Sequence, residues 1–341
     1  MTRHQKTKGS VLILVIWSLG LLSVFALHLG MSIRQKTKVL SRLEQRERLR
    51  SISAGGVKIA RAAFYHDYKF MGADRHSRLR MMRRNNPEEF QDIKLGRGSC
   101  DVRYAHDAGG AEDPLTRYGM TDEEGRININ TADVQVLKRL FRLVLKCEDD
   151  KAADLARAVA DWRQHGETEI EGFYSDDHYD NLEYPYPEKN APFEVLDELL
   201  LVRGFTREIF DKIFDFITVY GEGKVNINSA SVTVLKALGI PQDYLGVILS
   251  LRRGPDSQDD TRDDFLFPDA DHMSGYLDNY SELTPEQIAE INQLSPAWNL
   301  GAESRFFRIQ SAGRLDHSSE ERQILCIFQT DKGKIVYWRE T

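Results

Sequence analysis

The stretch GSVLILVIWSLGLLSVFALHLGMSI, from Gly9 to Ile33, decides the layout of this chain. It holds 25 consecutive positions without a charged residue, and a helix of that length is about 37 Å long, enough to cross a bilayer. An ordinary secretory signal has an apolar run of about 7–15 residues before a cleavage site, so this run is too long to be only that. It predicts a membrane-spanning helix that stays in the protein, with a plain signal anchor as the alternative.

The helical pattern continues beyond the apolar run. Residues at steps of three and four form one amphipathic face: Leu49, Ile52, Gly56, Ile59 and Ala63. We therefore expect one helix from the membrane to about Phe64. Basic residues flank the apolar run on both sides, so the positive-inside rule leaves the orientation undecided.

Composition and cysteine usage exclude some classes of protein. The chain has 341 residues, of which 41% are hydrophobic, and three cysteines. An odd number of cysteines without a CxxC pair argues against a disulfide framework or a zinc site. Cys100 and Cys326 are either bridged to each other or separate buried thiols.

The charge is unevenly distributed along the chain. The formal net charge is −7, but residues 112–304 contain 18 basic and 39 acidic residues. An acidic block of this size repels phosphate backbones and disfavours binding of nucleic acid.

An internal repeat lies within the acidic block. GRININTADVQVLKRLF begins at Gly125 and returns as GKVNINSASVTVLKALG at Gly223. In each copy a strand-like Ile/Val-Asn-Ile-Asn segment is followed by Thr131 or Ser229 and then by an amphipathic helix whose buried face begins at Leu137 or Leu235. The asparagines and hydroxyls favour a helix start, because their side chains accept hydrogen bonds from the first-turn N–H groups. We expect small SAM-like or helix-hairpin-helix units in tandem, the first copy forming one unit and the second closing another.

The same signature also occurs in helix-hairpin-helix proteins that bind DNA, including membrane-anchored competence receptors. Such hairpins hold phosphate with backbone N–H groups at a Gly-x-Gly turn. Here the turns read Gly204-Phe205-Thr206 and Gly239-Ile240-Pro241, and a proline has no N–H to donate. A structural use of the motif is therefore favoured, with DNA binding as the alternative.

Strand-like segments bracket the helical block. SCDVRYAH precedes it, and RFFRIQSAGRLDH and ERQILCIFQTDKGKIVYW follow it, with Asp331-Lys332-Gly333 at a hairpin tip. One sheet interrupted by an inserted helical domain, with the long helix packed on the sheet, gives an α+β fold.

The opening segment resembles the prepilin and pseudopilin class: a short basic leader ends in glycine, and a long apolar helix follows. By this resemblance a prepilin peptidase cuts between Gly9 and Ser10 and methylates the new N-terminus. Most members have Phe first and Glu fifth in the mature chain, where this sequence has Ser10 and Leu14. The usual glutamate pairs with the N-terminal amine of a neighbouring subunit inside the apolar bundle, and Leu14 cannot.

The whole chain resembles the minor pseudopilin K family of type II secretion systems. The resemblance rests on the leader junction, Leu14, DEEGRININTADVQVL, APFEVLDELLLVRG, FITVYGEGKVNINSA and the terminal VYWRE. It implies a non-enzymatic subunit of the inner membrane, with most of the chain in the periplasm, at the tip of the pseudopilus. The implied partners are minor pseudopilins I and J, other pseudopilus and inner-membrane platform proteins, and the prepilin peptidase, with no nucleic acid.

The resemblance also implies a long N-terminal transmembrane helix packed on a pilin-type antiparallel sheet that carries a large inserted α-helical domain. The expected domains are the leader (1–9), the transmembrane part of the helix (10–33), its periplasmic continuation with the first part of the sheet (34–127), the inserted domain (128–304) and the C-terminal strands (305–341).

Family members can carry calcium in the helical domain. The loop EGFYSDDHYDNLEYPYPEKN offers oxygen ligands of the kind that calcium prefers: Asp176, Asp177, Asp180 and Glu183. The alternative is a solvated acidic loop. A second loop, 254–281, holds eight aspartates and is expected to be a mobile or partner-facing surface. No HExxH, GxSxG, Walker or GxGxxG pattern occurs, so we expect no enzymatic activity.

Overall fold

The computed structural model describes residues 8–70, 85–106, 115–163, 176–258, 261 and 263–341, with the backbone alone for 8–10, 67–70, 176 and 177. The helices are α1 (Lys8–Phe70), α2 (Pro87–Phe90), α3 (Val134–Leu145), α4 (Asp149–Arg163), α5 (Asp176–Asp180), α6 (Arg207–Ile213), α7 (Val232–Ala237), α8 (Gln242–Arg253), α9 (Met273–Ser281) and α10 (Pro285–Leu294), with 3-10 turns at Leu196–Leu201 and Ser295–Trp298. The strands are β1 (Ile93–Lys94), β2 (Gly98–His106), β3 (Leu115–Tyr118), β4 (Thr121–Asp122), β5 (Ile127–Asn128), β6 (Ile217–Thr218), β7 (Val225–Asn226), β8 (Leu300–Gly301), β9 (Phe306–Leu315), β10 (Glu321–Gln329) and β11 (Lys334–Glu340).

The predicted single N-terminal helix is confirmed as α1, whose C-terminal part packs on the sheet. Its buried face comprises Leu49, Ile52, Ser53, Gly56, Val57, Ala60 and Phe64. The face is rotated slightly from the predicted one, since Ile59 and Ala63 are only half-buried. Gly56 allows α1 to lie close to the sheet, because a Cβ at this position would collide with the side chains of Ser311 and Cys100.

The sheet on which α1 lies is antiparallel. Its strand order is β1-β2-β9-β10-β11, and β3 pairs with β2 and β4 with β9. The predicted C-terminal strands are confirmed, and Gly333 takes a φ of +63° at the hairpin tip. With the helical region inserted between β4 and β9, the α+β fold class is confirmed.

The helical region contains two complete units, one from β5 to β6 and one from β7 to β8. We predicted instead that the second copy of the repeat lies at the end of a unit. In the first unit β5 pairs in parallel with β6, and in the second β7 pairs in parallel with β8. The expectation that the second copy of the repeat closes a unit is therefore wrong. Each copy opens a unit, and a strand about 75–90 residues later closes it.

The same hydrogen bonds recur in both units. The side chain of Asn130 donates to the carbonyl of Phe193 at 3.0 Å and accepts from its N–H at 2.7 Å. Asn228 makes the same pair of bonds with Phe267, at 3.0 and 2.7 Å. Each asparagine thus clamps the second half of its unit onto the repeat motif.

The second helix of each unit, α4 or α8, carries in its last turn an arginine that also donates hydrogen bonds to the repeat motif. Arg163 donates to the carbonyls of Ile129 and Ala132, and Arg252 donates to those of Ile227 and Ala230. The side chains of the two units form one hydrophobic core that includes the predicted Leu137 and Leu235, both fully buried. The duplication therefore extends well beyond the 17 residues visible in the sequence.

The three cysteines are free thiols in this structure. Cys100 and Cys326 are buried in the sheet, and burial raises the pKa of both, to about 11 and about 12. Of the two alternatives, separate buried thiols are what the structure has.

Candidate functional site: the apolar helix and the ionic junction

The N-terminal part of α1 presents an apolar surface that the other described residues do not cover. From Val11 to Ile33 the large apolar side chains are 45–75% exposed. Within the described residues this is the one helix long and apolar enough to cross a membrane. Exposing so large an apolar surface to water is costly, which makes this helix a candidate membrane span.

The predicted processing and assembly residues lie at the start of this helix. Gly9 and Ser10 fall in the first turns of α1, where only the backbone is described. Leu14 is 67% exposed, and its carbonyl accepts a hydrogen bond from the Ser18 hydroxyl at 2.8 Å. The structure leaves their roles as predictions.

The predicted calcium ligands are not brought together in the described part of the chain. Asp180 and Glu183 are exposed, and the side chains of Asp176 and Asp177 lie outside the described residues. Three other carboxylates, those of Asp256, Asp263 and Asp264, approach within 4.8 Å of one another. The Thr261 hydroxyl lies within hydrogen-bond distance of two of them, at 2.7 Å from Asp263 and 2.8 Å from Asp264. Calcium binding stays a prediction.

A buried ion pair joins the helical region to the sheet. The Arg308 guanidinium on β9 donates to both carboxylate oxygens of Glu123, at 2.8 and 2.9 Å, and the two side chains are 1% and 0% exposed. Arg126 and Thr218 also donate to Glu123, at 2.8 and 3.0 Å. Burial alone would raise the pKa of Glu123, but Arg308 and Arg126 hold it below its usual value.

Arg308 also reaches the first helical unit directly. Its guanidinium contacts Asp215 at 3.1 Å and lies 4.5 Å from the centre of the Phe214 ring. On β11, Arg339 packs on the same ring at 5.1 Å and pairs with Asp197 at 3.3 Å. Two strands of the sheet therefore hold the first unit through cation–π and ionic contacts.

Asp122 connects the sheet with the second unit. One of its carboxylate oxygens accepts from Ser229 at 2.5 Å, Ser304 at 2.6 Å and Asn226 at 2.8 Å. Asn226 and Ser229 belong to the second copy of the repeat, and Ser304 lies just before β9. A single carboxylate thus links the strand that enters the helical region with the segment that leaves it.

Glu124 completes this junction, which we define as Asp122, Glu123, Glu124, Arg126 and Arg308. Its carboxylate accepts from the backbone N–H groups of Arg305 and Phe306, and its side chain is largely buried. Burial is the main cause that raises the pKa of Glu124 to about 7, and the neighbouring Asp122 adds to it. Sequence analysis missed the junction, because the DEEGR run was counted only within the acidic block and its partner Arg308 lies 185 residues further along the chain.

The raised pKa predicts a pH dependence of stability that Glu124→Gln removes. A carboxyl whose pKa rises on folding contributes stability at low pH that is lost as the pH rises from its unfolded value of about 4.5 through about 7. The free energy of unfolding of the unaltered chain, relative to Glu124→Gln, should therefore fall by about 2 kcal/mol between pH 5 and pH 8. Urea unfolding of both chains in detergent, followed by tryptophan fluorescence, measures this. Glu208→Gln, at an exposed site, is the control, and its free energy of unfolding should change with pH as that of the unaltered chain does. The same pH dependence in Glu124→Gln and the unaltered chain would contradict the prediction.

Comparisons with known proteins agree with this architecture. Residues 116–222 match the family model described as type II secretion system (T2SS), protein K. The fold matches a chain of the crystal structure of the GspK-GspI-GspJ complex from the type 2 secretion system of enterotoxigenic Escherichia coli, with a TM-score of 0.57 and 14% identity over 88% of this chain and 98% of that one. No curated protein sequence matches the chain at a significant level. The predicted resemblance to minor pseudopilin K is thus confirmed by the family match over residues 116–222 and, for the rest of the chain, by the fold.

Proposed function

We propose that this protein is the minor pseudopilin at the tip of a type II secretion pseudopilus. The observation that carries the proposal is one continuous helix, whose first part is apolar and exposed and whose later part packs on a sheet that a large helical insert interrupts. Its role is assembly rather than catalysis, since the junction described above holds domains together and presents no reacting group to a substrate. Its place is the inner membrane, with a single span and the bulk of the chain in the periplasm.

The position of the helical units supports a capping role. Along α1, Ile52 lies near Gly313 and Phe64 lies near Phe307, with ring centroids 6.1 Å apart. The end of the sheet at Phe307 is thus the end away from the membrane. The helical region enters and leaves the sheet at that end, through Asp122 and Phe306. It would therefore stand above the helix bundle and block addition of a subunit on top.

The rival function is that of a membrane-anchored, DNA-binding helix-hairpin-helix protein. Each unit has two hairpin turns with one residue of positive φ: Lys146, Gly204, Gly239 and Glu282. Acidic side chains follow the first turn, from Glu148 to Asp150, where such proteins present N–H groups to phosphate. The Gly239 turn packs against the Arg139 side chain of the other unit. These turns disfavour a phosphate-binding surface.

The tip position explains a leucine where the class has glutamate. A subunit with no neighbour above it needs no carboxylate to pair with that neighbour's N-terminal amine. Leu14→Glu would place an unpaired charge in the apolar run, at a cost of up to about 2.5–3.5 kcal/mol in a membrane. We expect secretion to fall at least about tenfold, whereas Leu14→Ala should secrete normally. Normal secretion by Leu14→Glu would remove the support for the tip position.

Complex formation with the partner pseudopilins tests the proposed function. The full chain, co-expressed with pseudopilins I and J of the same organism, should copurify with both in equal amounts from detergent-solubilised membranes. The prepilin peptidase should act on the leader of the same protein. Failure to retain either pseudopilin, with all three chains present in the membrane, would contradict the proposal.

A further inference from the structure

Basic residues without partners follow the apolar run of α1. Arg34, Lys36, Lys38 and Arg42, here called the basic collar, are all exposed, and no acidic residue lies between Ile33 and Glu44. Within the described part of the chain, none of the four makes an ion pair or side-chain hydrogen bond. One turn further along, by contrast, Arg48 pairs with Glu44 at 2.6 Å, and Arg50 pairs with Glu340 at 2.9 Å.

Three of the collar residues lie on one side of the helix and the fourth lies on the other. At about 100° per residue, Lys36 projects about 200° away from Arg34, while Lys38 and Arg42 return to the side of Arg34. The four residues span about 12 Å along the axis. The first residue of α1 buried against the sheet is Leu49, so the chain's own globular part does not cover the collar.

The position of the collar fits the headgroup layer of a bilayer. The uncharged run before it is about 37 Å long, whereas the hydrocarbon core is about 30 Å thick. The run therefore ends within or just beyond the polar layer on the side of the globular part. Lysine and arginine side chains reach toward phosphates from such positions.

We infer that the basic collar binds the phosphate groups of anionic phospholipids in the leaflet that faces the globular part. This inference rests on the membrane insertion in the proposed function. Guanidinium and ammonium groups are strong donors to phosphate oxygens, and four positive charges with no acidic neighbour select anionic over zwitterionic lipid. Bound lipid would fix the depth of the helix and oppose withdrawal of the subunit from the bilayer before assembly.

Lipid selectivity of the full chain, reconstituted in phosphatidylcholine vesicles, tests the inference. Spin-labelled phosphatidylglycerol and spin-labelled phosphatidylcholine report the fraction of lipid that the protein immobilises. We expect the unaltered chain to favour phosphatidylglycerol by about threefold or more at low salt, and to lose most of this preference in 1 M salt. The collar variant, with Arg34→Gln, Lys36→Gln, Lys38→Gln and Arg42→Gln, should show a preference close to one.

The matched control carries the same loss of charge at exposed positions far from the membrane. It combines Lys58→Gln, Lys224→Gln, Lys236→Gln and Lys332→Gln, and should keep the preference of the unaltered chain. A preference near one in the unaltered chain, or an equal loss in the control, would overturn the inference. A preference near one in the unaltered chain, together with weaker retention of pseudopilins I and J by the collar variant, would indicate that the collar binds an acidic helix of a partner pseudopilin instead. Absence of any immobilised lipid would mean that α1 does not span the bilayer, which contradicts the proposed function itself.

Discussion

Arg308→Ala should lower the free energy of unfolding of the globular part by about 3–5 kcal/mol. The substitution leaves the Glu123 carboxylate fully buried without the bidentate donor that neutralises it. It also removes the guanidinium that connects the sheet with Asp215 and Phe214 of the first helical unit. Thermal or urea unfolding of the full chain in detergent, followed by tryptophan fluorescence, measures the loss.

Two further variants separate burial of charge from general damage. Arg308→Lys keeps a positive charge but not the two parallel hydrogen bonds, so it should be intermediate in stability. Lys212→Ala removes an exposed partner of Glu208 and should cost less than about 0.5 kcal/mol. A loss for Arg308→Ala as small as that for Lys212→Ala would show that the junction does not hold the helical units.

Gly56→Leu should destabilise the contact between α1 and the sheet by about 2–3 kcal/mol. Even a Cβ at this position collides with the side-chain oxygen of Ser311 and the sulfur of Cys100, and both side chains are buried between α1 and the sheet, so a leucine has no space there. Because α1 carries the globular part above the membrane, the same variant should lower the yield of the complex with pseudopilins I and J. Urea unfolding and copurification measure the two effects.

Gly275 on α9 supplies the matched control for this substitution. A Cβ there meets no atom within 4 Å, and leucine favours a helix over glycine by up to about 1 kcal/mol. Gly275→Leu should therefore be neutral or stabilising. Equal behaviour of the two variants would mean that close packing at Gly56 does not position the helix.

Local periodicity was sufficient to predict several elements of this fold. The uncharged run and the apolar spacing from Leu49 predicted one continuous helix, and alternation predicted the C-terminal strands. The motif shared by Gly125 and Gly223 predicted a tandem helical region. These features are encoded within about 20 consecutive residues, so they can be recognised without knowing what packs against them.

Long-range contacts explain what the sequence did not reveal. Asn130 clamps a backbone 63 residues away, and Asn228 clamps one 39 residues away, so the spacing between the two units hides their equivalence. Glu123 belongs to an acidic run, but its neutralising partner Arg308 lies 185 residues further along the chain. The calcium ligands and the domain limits remain predictions, as do the roles of Gly9, Ser10 and Leu14.

The intact mass and N-terminal sequence of the protein, extracted from the membranes of its native host, test the central claim most directly. A mature chain that begins at N-methylated Ser10 and keeps the apolar helix is the predicted result, since proteins of the prepilin and pseudopilin class retain the helix after the leader is cut. An intact leader, or cleavage beyond Ile33, would contradict the pseudopilin assignment and reduce the opening stretch to an anchor or an ordinary signal.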